Sequence, residues 1–359
     1  MIKKKILIAT GGTGGHVYPA YSLACYLKNK NYSITISSDK RGLKYLKDYK
    51  NFNVINISSS PLIKDNFLTF FFSSLTIFFS IIKSFLYLFF NKPTLIIGMG
   101  GYSSFPICIA ASILRIKFVI YESNLVLGKA NKYLLPFTQK IFVSYKELEG
   151  IPEKHVKKVF EVGNIIRDEI INFKEKKNDI NKFDDIKILV LGGSQAARVF
   201  AEQLPQIFEK FKKTEFSIKI YQQCQKEQNS QLIEFYKKAQ IDFEIFNFTD
   251  EITKYYSKAN IVITRSGASV LGELVNVKIP FISIPLPTSA ENHQQKNAEF
   301  YVKKGYGYLL EEKEIKEKLY ELIYSIFKNK SLIEKILSNQ NQYSDKNIFK
   351  NLNQEIEKI

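Results

Sequence analysis

The sequence predicts an α/β protein made of two doubly wound domains. Two similar openings carry the prediction. Lys5-Ile6-Leu7-Ile8-Ala9 runs into Gly11-Gly12, and Lys187-Ile188-Leu189-Val190-Leu191 runs into Gly192-Gly193. After its lysine each is a short apolar run, rich in β-branched residues and ended by glycine, as expected of a buried parallel strand. The second observation is the rhythm that follows. Short apolar runs alternate with helical stretches in both halves, which builds parallel sheets with helices on both faces. The third is length: 359 residues are long for one domain and comfortable for two.

In the first half a helix is expected over residues 19–29 and an alternating strand over 32–37. Apolar strands follow at 94–97, 117–120 and 140–143. The second half offers a helix at 197–212 and strands at 217–221, 243–246, 261–264 and 281–284. The stretch 168–185, with Lys174-Glu175-Lys176-Lys177-Asn178, lacks a sustained apolar pattern and marks the boundary. The expected domains are therefore 1–167 and 168–359. The tail from Glu311 onward reads as charged helices.

A net charge of +17 points to a phosphate-rich partner or to compositional drift toward Lys, Asn, Ile, Phe and Tyr; charge alone does not choose. Cys25, Cys108 and Cys224 are odd in number and fit no zinc or redox spacing, so they read as reduced thiols. The apolar run after Lys5 ends at Ala9, too short for a signal peptide, and a cytoplasmic protein is expected.

Residues 67–90, from Phe67 to Phe90, hold nine phenylalanines and one charge, Lys83. Thr69, Ser73, Thr76, Ser80, Lys83 and Tyr87 step by four and three, which on a helix makes one polar stripe. The uncharged part, 67–82, falls short of the roughly 20 residues needed to span a bilayer. A core helix would cover only one side, leaving phenylalanines exposed, and exposed apolar patches mark partner or membrane surfaces. A helix lying on an anionic membrane is expected.

Four glycine or small-residue turns carry chemistry. Gly11-Gly12-Thr13-Gly14-Gly15-His16 lies between a strand and a helix, where backbone N–H groups attract phosphate or an oxyanion. It is not the dinucleotide pattern, since Val17 stands where the third glycine would be. His16 reads as a base near neutral pH or as a substrate-orienting group. Asp39, after the second strand, resembles a ribose-binding acid by position alone. Gly98-Met99-Gly100-Gly101 suits close approach to a bulky group or a plain tight turn. In Tyr121-Glu122-Ser123-Asn124, Glu122 can activate a hydroxyl and Asn124 can read hydroxyls and amides, or the pair caps a helix. In the second half, Gly192-Gly193-Ser194-Gln195 and Arg265-Ser266-Gly267-Ala268 each precede a helix, which suits a diphosphate on the helix N-terminus, with Glu273 one turn on to accept from ribose hydroxyls and Gln294 near the donor sugar. No Asp-x-Asp pair sits at a strand end, so no metal bridging the diphosphate is implied.

As an ordered set these motifs closely resemble the MurG family of bacterial cell-wall N-acetylglucosaminyltransferases, glycosyltransferase family 28. The set is Gly-Gly-Thr-Gly-Gly-His-x-x-Pro-Ala, Gly-Met-Gly-Gly-Tyr, Glu-x-Asn, Gly-Asn-x-x-Arg, Gly-Gly-Ser-Gln and Arg-Ser-Gly-Ala with a later Glu. The likeness covers nearly the whole chain. It implies the GT-B fold, two Rossmann-like doubly wound domains facing across a cleft, with the last helix crossing back to the first domain. It implies UDP-N-acetylglucosamine as donor, held by the C-terminal domain, and a lipid-linked muramoyl-pentapeptide acceptor met by the N-terminal domain at the membrane. The product bond would be β(1→4), formed with inversion. Carried over by motif, Thr13, Gly14, Gly15, Asn124, Arg167, Ser194 and Gln294 contact the donor, with Ala268, Ser269, Val270, Leu271, Gly272 and Glu273; Thr249 matches a further donor contact made through its backbone. No cofactor and no nucleic-acid partner is implied. Cell-wall synthesis and division proteins are implied partners, and the cytoplasmic side of the inner membrane the expected location.

The sequence departs from the family pattern in places. Tyr121 stands where many relatives have His, Ile165 replaces a usual Pro, and Ala196 a usual Gly. The expected reaction is a direct displacement by the muramoyl 4-hydroxyl, with His16 as first choice of base and Glu122 as second. Helix N-termini and Arg167 would stabilise the leaving diphosphate. The alternative is another GT-B transferase acting on a lipid acceptor such as diacylglycerol.

Overall fold

The computed structural model describes residues 4–46, 51–60, 67–173, 185–193 and 197–359. The chain divides into two compact units. One runs to Arg167 and includes Asp345–Ile359; the other is Asp168–Ser344.

The first unit is built on a sheet of seven parallel strands: β1 (Lys5–Ala9), β2 (Ser33–Ser38), β3 (Asn53–Asn56), β4 (Leu95–Gly98), β5 (Phe118–Glu122), β6 (Ile141–Val143) and β7 (Val159–Glu161). Their order is β3-β2-β1-β4-β5-β6-β7. Ile6 of β1 lies beside Ile34 of β2 on one side and Leu95 of β4 on the other. The crossovers carry α1 (Gly14–Asn29), α2 (Lys40–Leu46), α3 (Phe67–Asn91), α4 (Gly101–Ile113) and α5 (Lys129–Leu134). Leu7, Ala9, Ile96, Ile107, Phe118, Ile120 and Leu134 pack into one core.

The second unit repeats the plan. Strands β8 (Asp185–Leu191), β9 (Ser217–Gln223), β10 (Asp242–Phe246), β11 (Ile261–Thr264), β12 (Phe281–Ser283) and β13 (Tyr308–Leu309) lie in the order β10-β9-β8-β11-β12-β13, all parallel. Helices α6 (Asp168–Ile171), α7 (Arg198–Glu209), α8 (Asn229–Lys238), α9 (Ile252–Tyr256), α10 (Ala268–Asn276), α11 (His293–Lys303), α12 (Ile315–Lys328) and α13 (Lys330–Asn341) surround it. Phe200, Leu204, Phe208, Ile220, Tyr236, Ile263 and Phe327 form its core.

The last helix, α14 (Ile348–Glu357), packs in the first unit. Phe349 stacks on Tyr26 at 5.1 Å between ring centres, and Lys140 pairs with Glu355 at 2.6 Å. In each sheet the strand order reverses beside the first strand, between β1 and β4 and between β8 and β11. Ligands of open parallel sheets bind at the carboxyl ends of the strands at this switch point.

One sequence expectation changes here and a second is sharpened. Helix α1 begins at Gly14, not at Pro19. Thr13 is extended and its carbonyl accepts from the N–H groups of His16 and Val17, so Gly14, Gly15 and His16 form the first helical turn. The second concerns the polar stripe of α3. Ser80 and Ser84 are buried, with Leu88, while Phe72 and Phe79 are each 63% exposed. Ser80 and Ser84 thus face the protein and eight of the nine phenylalanines face out, while Phe85 packs against the core. Burying the Ser84 hydroxyl costs little, because it donates to the Ser80 carbonyl one turn back at 2.7 Å. Small side chains also let α3 lie close to its neighbours.

Candidate functional site

The first unit gathers its candidate residues at the β1/β4 switch point. Gly11 and Gly12 lead out of β1, and Gly12 has φ of 77°, a conformation glycine adopts without strain. Asp39, at the end of β2, fixes this turn. Its Oδ1 accepts from the N–H of Gly12 at 2.9 Å and of Gly42 at 2.8 Å. Its Oδ2 accepts from Arg41 Nε and Nη2 and from the Ser59 hydroxyl. Burial alone would raise the pKa of Asp39, but these donors together hold it below the usual carboxylate range. Asp39 therefore shapes the glycine turn and has no geometry for ribose.

His16 is held at two points. The Thr10 hydroxyl donates to its carbonyl at 2.9 Å, and its ring Nδ1 lies 3.1 Å from the Met99 carbonyl at the end of β4. A carbonyl only accepts, so Nδ1 carries the hydrogen, and in the neutral ring Nε2 carries the lone pair. The ring lies against Gly100 and Gly101, with φ of 84° and 70°. A methyl group on either glycine would come within 3.5 Å of the imidazole. The glycine pair is thus the wall against which His16 is set. Thr13 caps α1 without a side-chain bond, and its first turn holds no acid, so the helix end favours an anion. The Arg167 guanidinium lies 5.5 Å from the ring centre of Tyr18 on the same helix.

Glu122 commits its carboxylate to protein donors. It is 4% exposed. Oε1 accepts from Asn124 N and Nδ2 at 3.1 and 2.9 Å; Oε2 accepts from Gly128 N and Asn131 Nδ2 at 3.0 and 2.9 Å. Four N–H donors make this carboxylate the anchor of the loop after β5, which positions Asn124. A base needs its lone pairs on the substrate proton, so the geometry favours His16 over Glu122.

Tyr121 is also explained by its contacts. Its hydroxyl lies 2.8 Å from Ser144 Oγ, donates to the Gly163 carbonyl and accepts from Ile165 N–H at 3.0 Å. Burial pushes its phenol pKa up. Tyr121 thus holds the loop that leads to Arg167. Asp345 holds the same loop from the other side, accepting from Asn164 N–H at 3.0 Å.

In the second unit Arg265, Ser266 and Gly267 join β11 to α10 at the β8/β11 switch point. Gly267 caps α10 with no side-chain bond and no acid follows in the first turn. Ala268, Ser269, Val270, Leu271 and Gly272 make that helix start, and all five lie in α10 as the sequence suggested. Glu273 is buried on the same helix, and its Oε2 accepts from Tyr256 at 2.9 Å. Gln294, on α11, bridges two turns: its Oε1 accepts from Ser266 N and Leu286 N at 3.2 and 2.9 Å. The amide oxygen is thereby committed to the protein, and the amide nitrogen is the side chain's donor group. Thr249, in the turn after β10, accepts from Glu251 N–H at 3.0 Å. Ser194 lies outside the described residues.

Three supports of this half-site were not assigned that role from the sequence. Arg265 is 8% exposed and donates to the carbonyls of Ile284 and Pro285 while pairing with Glu312; it ties the turns together rather than facing a ligand. Asn297 donates to the Ser266 carbonyl, and Ser266 and Ser283 share a hydrogen bond of 2.6 Å. A buried polar residue on a helix face, such as Asn297, was the one clue available.

Each switch point thus pairs a glycine or small-residue turn with an uncapped helix N-terminus. Residues 6–143 match the glycosyltransferase family 28 N-terminal domain, and residues 187–356 its C-terminal domain. A relative from Pelagibacter ubique is 37% identical over 99% of this chain and 98% of its own. The chain belongs to glycosyltransferase family 28. That relative is named UDP-N-acetylglucosamine–N-acetylmuramyl-(pentapeptide) pyrophosphoryl-undecaprenol N-acetylglucosamine transferase. A Rickettsia felis protein of the same name is 34% identical over 92% of this chain and 93% of its own. Among solved structures, Acinetobacter baumannii MurG matches with a TM-score of 0.79 at 23% identity, over 99% of this chain and 100% of that one. The fold is therefore GT-B, and this family member is a glycosyltransferase.

Proposed function

We propose that the chain transfers N-acetylglucosamine from UDP-N-acetylglucosamine to undecaprenyl-diphospho-N-acetylmuramoyl-pentapeptide, with inversion and a β(1→4) product bond, in peptidoglycan synthesis. The observation that carries this reading is the end-to-end match to transferases named for that donor and acceptor. The donor diphosphate lies at the start of α10, with Glu273 on the ribose and Gln294 Nε2 donating to the sugar. Thr249 adds a backbone contact. The acceptor is met by the first unit. Nε2 of His16 takes the proton of the muramoyl 4-hydroxyl as that oxygen attacks the anomeric carbon. The C1–O bond to UDP breaks, and the diphosphate leaves with the electron pair, stabilised by helix N-termini. By the family motifs Thr13, Gly14, Gly15 and Asn124 contact the donor as well, and Arg167 adds positive charge for the leaving diphosphate.

The exposed phenylalanines of α3 lie on the membrane surface, from the cytoplasmic side. Ser80, Ser84 and Leu88 pack α3 onto its own domain, which supports attachment over spanning. A lipid-linked substrate needs such attachment.

The test offers labelled UDP-N-acetylglucosamine with two acceptors in the same detergent: the muramoyl-pentapeptide lipid and diacylglycerol. Label in the muramoyl lipid alone is expected. Label in diacylglycerol alone, or in neither, overturns the reading.

A further inference from the structure

We propose that Arg41 binds the diphosphate of the lipid-linked acceptor, held beside the glycine turn by Asp39. The proposal rests on the acceptor reading above and adds a residue to it. Arg41 stands on the first turn of α2. Two of its five N–H donors, on Nε and Nη2, go to Asp39 Oδ2 at 3.1 and 3.0 Å. No other side-chain hydrogen bond of Arg41 occurs among the described residues, and the side chain is 56% exposed. An exposed arginine ordinarily wanders; here a buried carboxylate fixes its fork. The carboxylate is covered by Gly12 N, Gly42 N and Ser59 as well, so its charge is spread over several donors and the outer edge of the guanidinium remains cationic.

Two observations say what that edge meets. A methyl group built on Gly12 would lie 3.8 Å from Arg41 Nη2, so the guanidinium stands at the glycine turn itself. Planar, bidentate donors at such a turn suit phosphate oxygens. The second observation separates acceptor from donor. Ser59 donates to Asp39 at 3.0 Å, and the adjacent Ser60 bonds Ser73 of α3 at 3.0 Å. Arg41 is thus linked within a few residues to the helix whose phenylalanines face outward. The acceptor diphosphate is joined directly to its lipid and stays close to the membrane surface. A soluble nucleotide has no such constraint.

The experiment crosses two changes: Arg41→Ala, and an acceptor carrying a monophosphate in place of the diphosphate. Loss of a charge-assisted contact is expected to raise the acceptor KM of R41A about tenfold or more, with the donor KM within about twofold. Wild type is expected to lose a similar factor on the monophosphate acceptor, and R41A to lose little further, because the two changes remove the same contact. Arg41→Lys, which keeps charge without the fork, is expected to fall between. An acceptor KM unchanged in R41A, an effect on the donor KM instead, or losses that multiply would each overturn the assignment. If wild type transfers to neither acceptor, the functional reading itself fails; if it transfers and R41A matches it, Arg41 alone is excluded. R41A also loses its ion pair to Asp39, so a melt slightly below that of wild type is expected, and a melt lowered enough to unfold R41A would assign Arg41 to the fold instead.

Discussion

At the scale of single residues, two carboxylates near the glycine turns do structural work. Asp39 and Glu122 resemble ligand-binding acids by position in the chain, yet each accepts at least four hydrogen bonds from the protein. A sequence shows that an acid follows a strand; it does not show which donors the fold will bring to it. Tyr121 and Ile165 make the same point. Proline has no N–H, whereas Ile165 N–H donates to the Tyr121 hydroxyl, so the two departures from the family pattern meet in one hydrogen bond. His16 was legible because a histidine among glycines has few structural reasons to be there. Its tautomer was not, because Met99 lies far along the chain. Asp39 also gives a pH dependence. Its pKa is lowered in the folded protein, so its contribution to stability is full above the unfolded carboxylate value of about 4 and is lost as pH falls through the folded value. Asp39→Asn is expected to melt at a lower temperature than wild type at neutral pH, with the gap narrowing as pH drops below about 4. A gap independent of pH would contradict this role.

At the scale of elements, the sequence signal followed burial. The central strands β1, β4, β8 and β11 are apolar along nearly their whole length and were found. The three strands that sequence patterning missed, β3, β7 and β13, each lie at a sheet edge and are at most partly buried. An edge strand packs against one neighbour and needs no continuous apolar run. Helix α3 reverses the ordinary amphipathic rule, with serines inward and phenylalanines outward. The stripe was visible in the sequence, but not the face it turns to the protein. Each exposed Phe brings roughly 1.5–3 kcal/mol when buried. Wild-type protein is therefore expected to sediment with anionic vesicles at low salt, and Phe72→Ser with Phe79→Ser to weaken that binding by at least about tenfold without lowering the melting temperature. Wild-type protein left in the supernatant would contradict the proposed membrane face.

At the scale of the whole molecule, one strand order occurs twice, and each copy places a glycine or small-residue turn at its own switch point. That duplication was readable from two glycine-ended runs. The return of residues 345–359 to the first unit rests on contacts such as Phe349 on Tyr26, which local patterning does not encode. Turnover belongs to this scale, since it requires donor and acceptor together. The proposed reaction is a displacement in which His16, fixed by Met99, takes the acceptor proton. Its most direct test is the transfer rate of His16→Ala against wild type with both substrates saturating. A fall in kcat of about 10²–10⁴ is expected, with the donor KM little changed. Near-normal turnover by His16→Ala would contradict it.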